Sequence, residues 1–469
     1  MDFPSISELV ASLRDSVVFN AADDIYASDW KRFREHHLDR LTYIAVFHPD
    51  EQVRGFARWL IRTLGLVAGV VPASIYDFYK LKGEGKFQKI TVPAFNLRGL
   101  TYDLARSLCR AALATNTRAF IFEISRSEIG YTDQRPAEYA AVILAAALRE
   151  GFTGPVFLQG DHFQFDAERF RAKPEEETAA LERLSVEAME AGFFNLDIDA
   201  STLVEPNAAT LEEQQKLNCA QTAHMIRFIR KHQPKDVTVA IGGEIGEVGK
   251  KKSTLDELRV FLDGTIAALG SPAGAVEGLS KVSVQTGTQH GGVPDADGKP
   301  SRMEVDFKTL EELSKLAISA YKLAGAVQHG ASTLADKQFD GFPQANAAEI
   351  HLSTAFQNFV FDGGHFPEGL YQEIIDHLFR EFGVQRRLGE TDAQFLYRIR
   401  KRAFGTFKQR LWDLDEATRG AIRRDLQQIF EKLFRRLDVN GSLEGIVDNT
   451  DVVKAVLPLP EELQRLAVV

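Results

Sequence analysis

Residues 282–292 read VSVQTGTQHGG and residues 325–333 read GAVQHGAST; in each, a short apolar β-branched run breaks into a histidine flanked by glycine. Such runs, bounded by turn residues, read as buried strands whose polar ends face one common edge. Moving outward from these two, the same texture recurs at Thr91–Phe95, Ala119–Ile124, Pro155–Leu158, Phe194–Ile198, Val237–Ile241, Val282–Val284, Gly325–Val327 and Ala348–Leu352. Each run is separated from the next by a stretch able to return as a helix. Eight such units in about 270 residues predict an α/β protein with a closed (β/α)8 barrel. The first strand is followed by Asn96-Leu97-Arg98-Gly99 rather than a glycine-rich phosphate turn, which argues against an open doubly wound sheet.

The flanks read differently. Residues 1–90 carry helical periodicity, with Ser5 and Glu8 as a capping pattern and Glu51–Leu66 repeating apolar positions at helical spacing, and no strand is clear there. Residues 366–469 are again helix-rich, with basic runs such as Leu396–Arg410. The expected organisation is therefore a helical extension over 1–90, a catalytic barrel over 91–365 and a helical extension over 366–469.

Composition narrows the function. Lys and Arg number 56 against 66 Asp and Glu, so the net charge of −10 supplies no field to attract nucleic acid. Cys109 and Cys219 stand apart without a metal or disulfide pattern and read as buried small residues in a reducing compartment. The longest apolar runs, around Leu64–Ala73 and Tyr139–Leu148, are too short to cross a bilayer, and MDFPSISELV lacks a cationic leader. A cytoplasmic protein with no membrane partner is expected, and the helical ends suggest a homo-oligomer.

In barrel enzymes the loops after the strands converge on one mouth. Here those loops open with Gly160-Asp161-His162, Asp197-Ile198-Asp199-Ala200-Ser201, Gly242-Gly243-Glu244, Gly287-Thr288-Gln289-His290-Gly291-Gly292 and His329-Gly330-Ala331-Ser332. His162, His290 and His329 thus end three separate strands. Three imidazoles with a fourth position open describe a catalytic zinc site. Asp161 beside them suits a proton shuttle or an acceptor that orients a histidine. Gly291, Gly292 and Gly330 with the Ser332 hydroxyl can turn backbone N–H groups toward a phosphate or carboxylate. His36, His37, His48, His224, His232 and His377 fall in helical or connecting stretches and read as solvated. So does the basic run Arg398, Arg400, Lys401, Arg402, Lys408 and Arg410.

Over residues 91–358 the chain resembles the class II, zinc-dependent ketose-bisphosphate aldolases, on VPAFNLRGL (92–100), LQGDH (158–162), GFFNLDIDAS (192–201), GGEIG (242–246), VQTGTQHGG (284–292), VQHGAST (327–333) and EIHLST (349–354). The resemblance implies a metal held by His162, His290 and His329, with Asp161 as acid and base at the substrate C4 hydroxyl. It places Glu244 and Asp199 near the site, at a secondary cation position or the substrate, and the phosphate at Gly291–Gly292 and Gly330–Ser332. Zn2+ is the implied cofactor, with Mn2+ or Co2+ as substitutes, and a ketose or sugar phosphate is the implied small-molecule partner. Asn96, Ser125, Ser353 and Thr354, at strand ends, complete the expected substrate contacts.

Two departures bear on the substrate. The family's Asn-Ile-Asp-Thr segment is here His351-Leu352-Ser353-Thr354, so His351 stands as an additional base. The acidic loop that supplies the family's proton-abstracting glutamate reads Glu247-Val248-Gly249 followed by Lys250, Lys251 and Lys252. Three functions remain open: an aldolase acting on the C3–C4 bond, a ketose or keto-uronate C4 epimerase using the same metal, and a barrel scaffold without turnover.

Overall fold

The computed structural model describes residues 3–21, 24–246, 251–270, 277–288, 294–298 and 304–454. The chain opens with the helix Ile6–Leu13, capped by Ser5, and an antiparallel hairpin of β1 (Val17–Ala21) and β2 (Asp24–Ala27). The helix Glu51–Ala68 follows and stops at Gly69, whose φ of 79° suits the left-handed turn. β3 (Val70–Ala73) comes next. The expectation of an all-helical segment over 1–90 is thus corrected. The Leu64–Ala73 run conceals a helix end and a buried strand, which helical periodicity alone does not separate.

The barrel strands are β4 (Val92–Asn96), β5 (Ile121–Ser125), β6 (Gly154–Gln164), β7 (Asn195–Asp199), β8 (Ala240–Glu244), β9 (Lys281–Val284), β10 (Ala326–Gln328) and β11 (Glu349–Leu352). They run parallel in the order β6-β5-β4-β11-β10-β9-β8-β7, and β7 pairs back on β6, so eight strands close into a (β/α)8 barrel. β3 is a ninth strand. It pairs with Gly154–Phe157 of β6, and Asn195 splices it to the start of β7 by accepting from the Ile75 N–H and donating to the carbonyls of Ala73 and Leu158.

Most connecting helices carry their own start signals, such as the reciprocal caps Thr210 with Glu213 and Thr254 with Glu257. Between β10 and β11 the return is not a full helix but two 3-10 turns and the short helix Gly341–Gln344. The C-terminal helix Glu416–Arg436 lies against Thr101–Ala114: its Arg423 pairs with buried Asp103, and Phe430 and Phe434 pack edge-on against Phe95 at ring distances of 5.2 and 5.8 Å. Cys109 and Cys219 are buried thiols. No helix among the described residues is long and apolar enough to cross a membrane.

Two strand boundaries matter for chemistry. β8 begins at Ala240, three residues later than the β-branched run suggested, so Glu244 is its last residue and not part of a loop. β6 continues to Gln164, but its register against β7 slips between Gly160 and Phe163, and His162 there has a φ of 42°. This bulge breaks the alternation of a regular strand, which lets Asp161 and His162, though adjacent, serve the same mouth.

Candidate active site

At the carboxyl ends of the strands, His162, His329 and His351 form a row, with ring centroids 4.3 Å apart from the first to the second and 4.0 Å from the second to the third. Six carboxylates surround the row. His162 Nδ1 lies 2.9 Å from Asp199 Oδ2 and 3.7 Å from Glu244 Oε1, while its Nε2 lies 3.8 Å from Asp161 Oδ1. His329, 1% exposed, places Nε2 2.8 Å from Glu244 Oε1. His351 Nδ1 is 2.9 Å from Glu123 Oε2 and 3.2 Å from Asp161 Oδ1, and its Nε2 is 2.7 Å from Glu349 Oε1 and 3.7 Å from Asp197 Oδ2.

Beneath this row the barrel interior holds a charge network. Lys281, at the start of β9, donates to Gln159 Oε1 (2.8 Å), Asp197 Oδ2 (3.0 Å) and Glu349 Oε1 (2.6 Å). Tyr79, from the N-terminal extension, donates to the other Glu349 oxygen. Gly242 leaves room for this packing, since a Cβ there would sit 2.2 Å from Asp197 Oδ1.

Burial in such company moves the proton affinities apart. Burial raises Glu244 to about 8. Burial and the charge of Asp161 raise Glu123 to about 8, against the pull of His351. Burial also lifts Asp197 to about 6, although Lys281 opposes it. Burial works against ionised Glu349 too, but Lys281 and His351 outweigh it and hold the carboxyl at about 2. Burial disfavours the charged form of His351, yet Glu123 and Asp161 outweigh it and raise its proton affinity well above the ordinary imidazole value.

The donors fit a divalent cation. One ligand atom from each of Asp161, His162 and His329 lies within 4.8 Å of the others, and the same holds for His162, Asp199 and Glu244. Both Glu244 oxygens are buried and receive no hydrogen bond among the described residues, although Oε1 faces two imidazoles. A buried carboxylate left this way is costly unless a cation completes it. Nitrogen and carboxylate donors together suit Zn2+, and also Mn2+ or Co2+.

A pocket of about 800 Å³ opens above the cluster, and Asp161, His162, His329 and His351 reach its floor. Gly330, with a φ of 70°, turns the chain into the 3-10 segment Ala331–Thr333 and lines the wall with Ser332. Ser353 and Thr354 line it from the start of the helix Thr354–Asp362. Asn96 and Ser125 also reach the pocket; Asn96 donates to Glu128, and Ser125 caps the helix Arg126–Tyr131. Glu247, His290, Gly291 and Gly292 lie outside the described residues.

Several expectations change. Asp199, expected at a secondary cation position or the substrate, lies against His162, with Oδ2 2.9 Å from its Nδ1, and accepts from Gln164 and Ser201. His351, expected as a base, faces Glu123 and Asp161, which against the effect of burial raise its hold on a proton well above that of an ordinary imidazole. His48 is buried, with Nε2 3.0 Å from the Phe3 carbonyl. The basic run is not a solvated face as a whole. Arg400 is bound to Asp362 and Asn358, Lys408 to Glu138, and Arg398 and Lys401 line the pocket.

Glu123, Asp197, Lys281 and Glu349 were missed. Each stands two residues before a polar strand-end residue, as in Glu123 with Ser125, Asp197 with Asp199, Lys281 with Ser283 and Glu349 with His351. That period of two puts both members on one face of a strand, and charged residues repeating inward are the signal that could have found them.

Known proteins can be set beside this geometry. A protein described as a probable tagatose 6 phosphate kinase from Sinorhizobium meliloti superposes with a TM-score of 0.50 at 16% identity over 81% of this chain and 99% of its own. A fructose-bisphosphate aldolase from Campylobacter jejuni gives 0.44 at 16% identity over 78% and 94%. A fructuronate-tagaturonate epimerase from Cohnella laeviribosi gives 0.48 at 13% identity over 94% and 98%. No curated protein sequence matches the chain. The family model for class-II fructose-bisphosphate aldolase matches residues 80–389, about two thirds of the length, and spans every strand of the closed barrel and the residues at its mouth. The chain therefore belongs to the class-II fructose-bisphosphate aldolase family, and it is an enzyme of that superfamily.

Proposed function

We propose that this enzyme makes and breaks the C3–C4 bond of a ketose or ketose phosphate with the help of one divalent cation, Zn2+ first among the candidates. The observation that carries the reading is the meeting of Asp161, His162 and His329, and of His162, Asp199 and Glu244, in two groups that share His162 beneath an open pocket. His162 and His329 would hold the ion with carboxylate support from Glu244 and Asp199. A cation bound there supplies polarisation of the ketose carbonyl and offsets negative charge as the bond breaks.

The chain's own groups handle the protons. Asp161 accepts the proton of the C4 hydroxyl; C4 becomes an aldehyde carbonyl, and the electron pair of the C3–C4 bond stays with C3, conjugated to the ketose carbonyl. In the reverse direction Asp161 returns the proton to the C4 oxygen. The imidazolium of His351, 3.2 Å from Asp161, steadies the carboxylate before it takes the proton, and Glu123, pushed up to about 8, stores a proton beside both. Lys281 and Glu349 fix His351 from below.

A second reading uses the same step. If the aldehyde is retained, turned and joined again through its opposite face, the enzyme is a C4 epimerase. Two features support it: the His351–Glu123 pair offers a further proton donor beside Asp161, and the C-terminal extension walls the pocket through Arg387, Tyr397 and Lys401, which would retain a fragment. Incubation of the metal-loaded protein with a ketose and ketose-phosphate panel, followed by NMR of the products, separates the readings. Three-carbon products support cleavage, and stoichiometric C4 epimer without them supports epimerisation. Neither product under any metal removes both.

A further inference from the structure

The C-terminal extension gives the pocket cationic groups that the proton chemistry does not use. Lys401 lies in the 3-10 turn Arg400–Arg402, half-buried on the pocket wall, with Nζ 5.6 Å from the Tyr131 ring centroid. Glu128, the acid whose charge acts on Lys401, is already engaged: it accepts from Arg98, from the Asn96 amide and from the Ser125 N–H. Arg98 is in turn shared between Glu128 and the Tyr131 hydroxyl. The ammonium of Lys401 therefore has no carboxylate of its own among the described residues.

The rim repeats this pattern. Glu390 is held by Arg398 through two bonds of 2.8 Å and by the Arg387 backbone N–H, so the exposed guanidinium of Arg387 acts on Glu390 only through its charge and makes no hydrogen bond or ion pair with an acid among the described residues. Ser127, Ser353 and Gln357 add uncharged hydrogen-bonding groups to the same pocket. Two surplus positive charges thus face a cavity whose floor, at Asp161 and Glu123, is acidic. Burial and the nearby Arg98 also make Lys401 a weaker holder of its proton, a strain that a bound anion relieves.

We propose that Lys401, with Arg387 at the rim, forms an anion subsite that grips a phosphate or carboxylate at the end of the substrate remote from the cleaved bond. The inference rests on the reading of this pocket as a ketose site. It makes the C-terminal extension a determinant of substrate choice and selects chains with a charged terminus over neutral sugars. Phosphate and carboxylate share the same pairing chemistry with an ammonium and a guanidinium.

Titration calorimetry on the full-length, metal-loaded protein tests it, with glycerol 3-phosphate, glycerate and glycerol as probes. Wild type should bind at least one of the two anions about tenfold to hundredfold more tightly than glycerol, the range a charged hydrogen bond supports. Preference for the phosphate or for the carboxylate identifies the group. Lys401→Met should lose about tenfold or more of that affinity, and Lys401→Arg should recover most of it. Arg387→Ala, at an exposed position, should lose less and serves if Lys401→Met does not fold. Anion affinities unchanged in Lys401→Met, or in Arg387→Ala where Lys401→Met does not fold, overturn the subsite, as does a wild type that binds glycerol as well as either anion. Lysine-dependent anion binding in a protein that neither cleaves nor epimerises any ketose keeps the subsite and removes the reaction. A wild type that turns over neutral ketoses as fast as anionic ones keeps the reaction and removes the subsite.

Discussion

Replacing Lys281 by Met isolates the electrostatics on which the floor of the site rests. The ammonium, 1% exposed, spends its three protons on Gln159, Asp197 and Glu349. Glu349 keeps Tyr79, Gln159 and His351 after the substitution, whereas Asp197 keeps only the distant His351 Nε2, at 3.7 Å. Breaking a buried pair from one side costs about 3–5 kcal/mol. At about 2.1 cal/mol/K per residue, the 469 residues carry an unfolding entropy of roughly 1 kcal/mol/K, so that corresponds to a fall in Tm of roughly 3–5 °C. The deficit should depend on pH. Asp197, already raised to about 6 by burial, rises further without the lysine. Between the unfolded carboxyl value, about 3.8, and the folded one, the folded state then binds more protons than the unfolded, so stability falls as pH rises through that window. Thermal melts of wild type and Lys281→Met at pH 5.5 and 8 should show the wider gap at pH 8. A gap below about 2 °C at pH 8, or one that grows on acidification, refutes the network's proposed role.

Three further outcomes follow from the same geometry. Asp161→Ala should lower turnover by about 10²–10⁴ while metal content, measured on the same sample, stays near that of wild type; equal loss of metal would make Asp161 a ligand instead. His351→Asn with Ser353→Asp should shift the products toward three-carbon fragments, and an unchanged product ratio by NMR would show that these positions do not set the outcome. Lys82, buried and donating to the Phe87 and Ile90 carbonyls, is pushed by burial down to about 7, so between there and its unfolded value near 10.5 the unfolded chain binds more protons and stability rises with pH. Relative to Lys82→Met, wild type should gain about 2–3 kcal/mol between pH 7 and 9 in urea unfolding, and parallel profiles would contradict the assignment.

The barrel was legible because each of its eight strands leaves a β-branched run before a turn signal, and because His162 and His329 end two of them. β3 was not. Val70–Ala73 continues the apolar face of a preceding helix, and its strand identity comes from pairing with Gly154–Phe157, far away in sequence. The adjacency of Asp161 and His162 posed a puzzle that a strand's alternation could not solve, because the bulge between Gly160 and Phe163 is a property of the β6–β7 register. The basic stretch after Leu396 looked uniform as letters, yet its members have separate fates: Arg400 and Lys408 are tied into ion pairs, and Lys401 turns to the pocket. Packing of the extension against the mouth decides this, and local composition carries no record of it.

The account depends most directly on a cation shared by His162, His329 and Glu244. Elemental analysis of the purified protein, with the visible spectrum of its Co2+ form, measures this without reference to turnover. One tightly held divalent ion per chain, removed by chelator and lost in both His329→Ala and Glu244→Ala while each variant stays folded, is the expected result. A folded wild type that takes up no Zn2+, Mn2+ or Co2+, or variants that bind the ion as wild type does, would contradict the account.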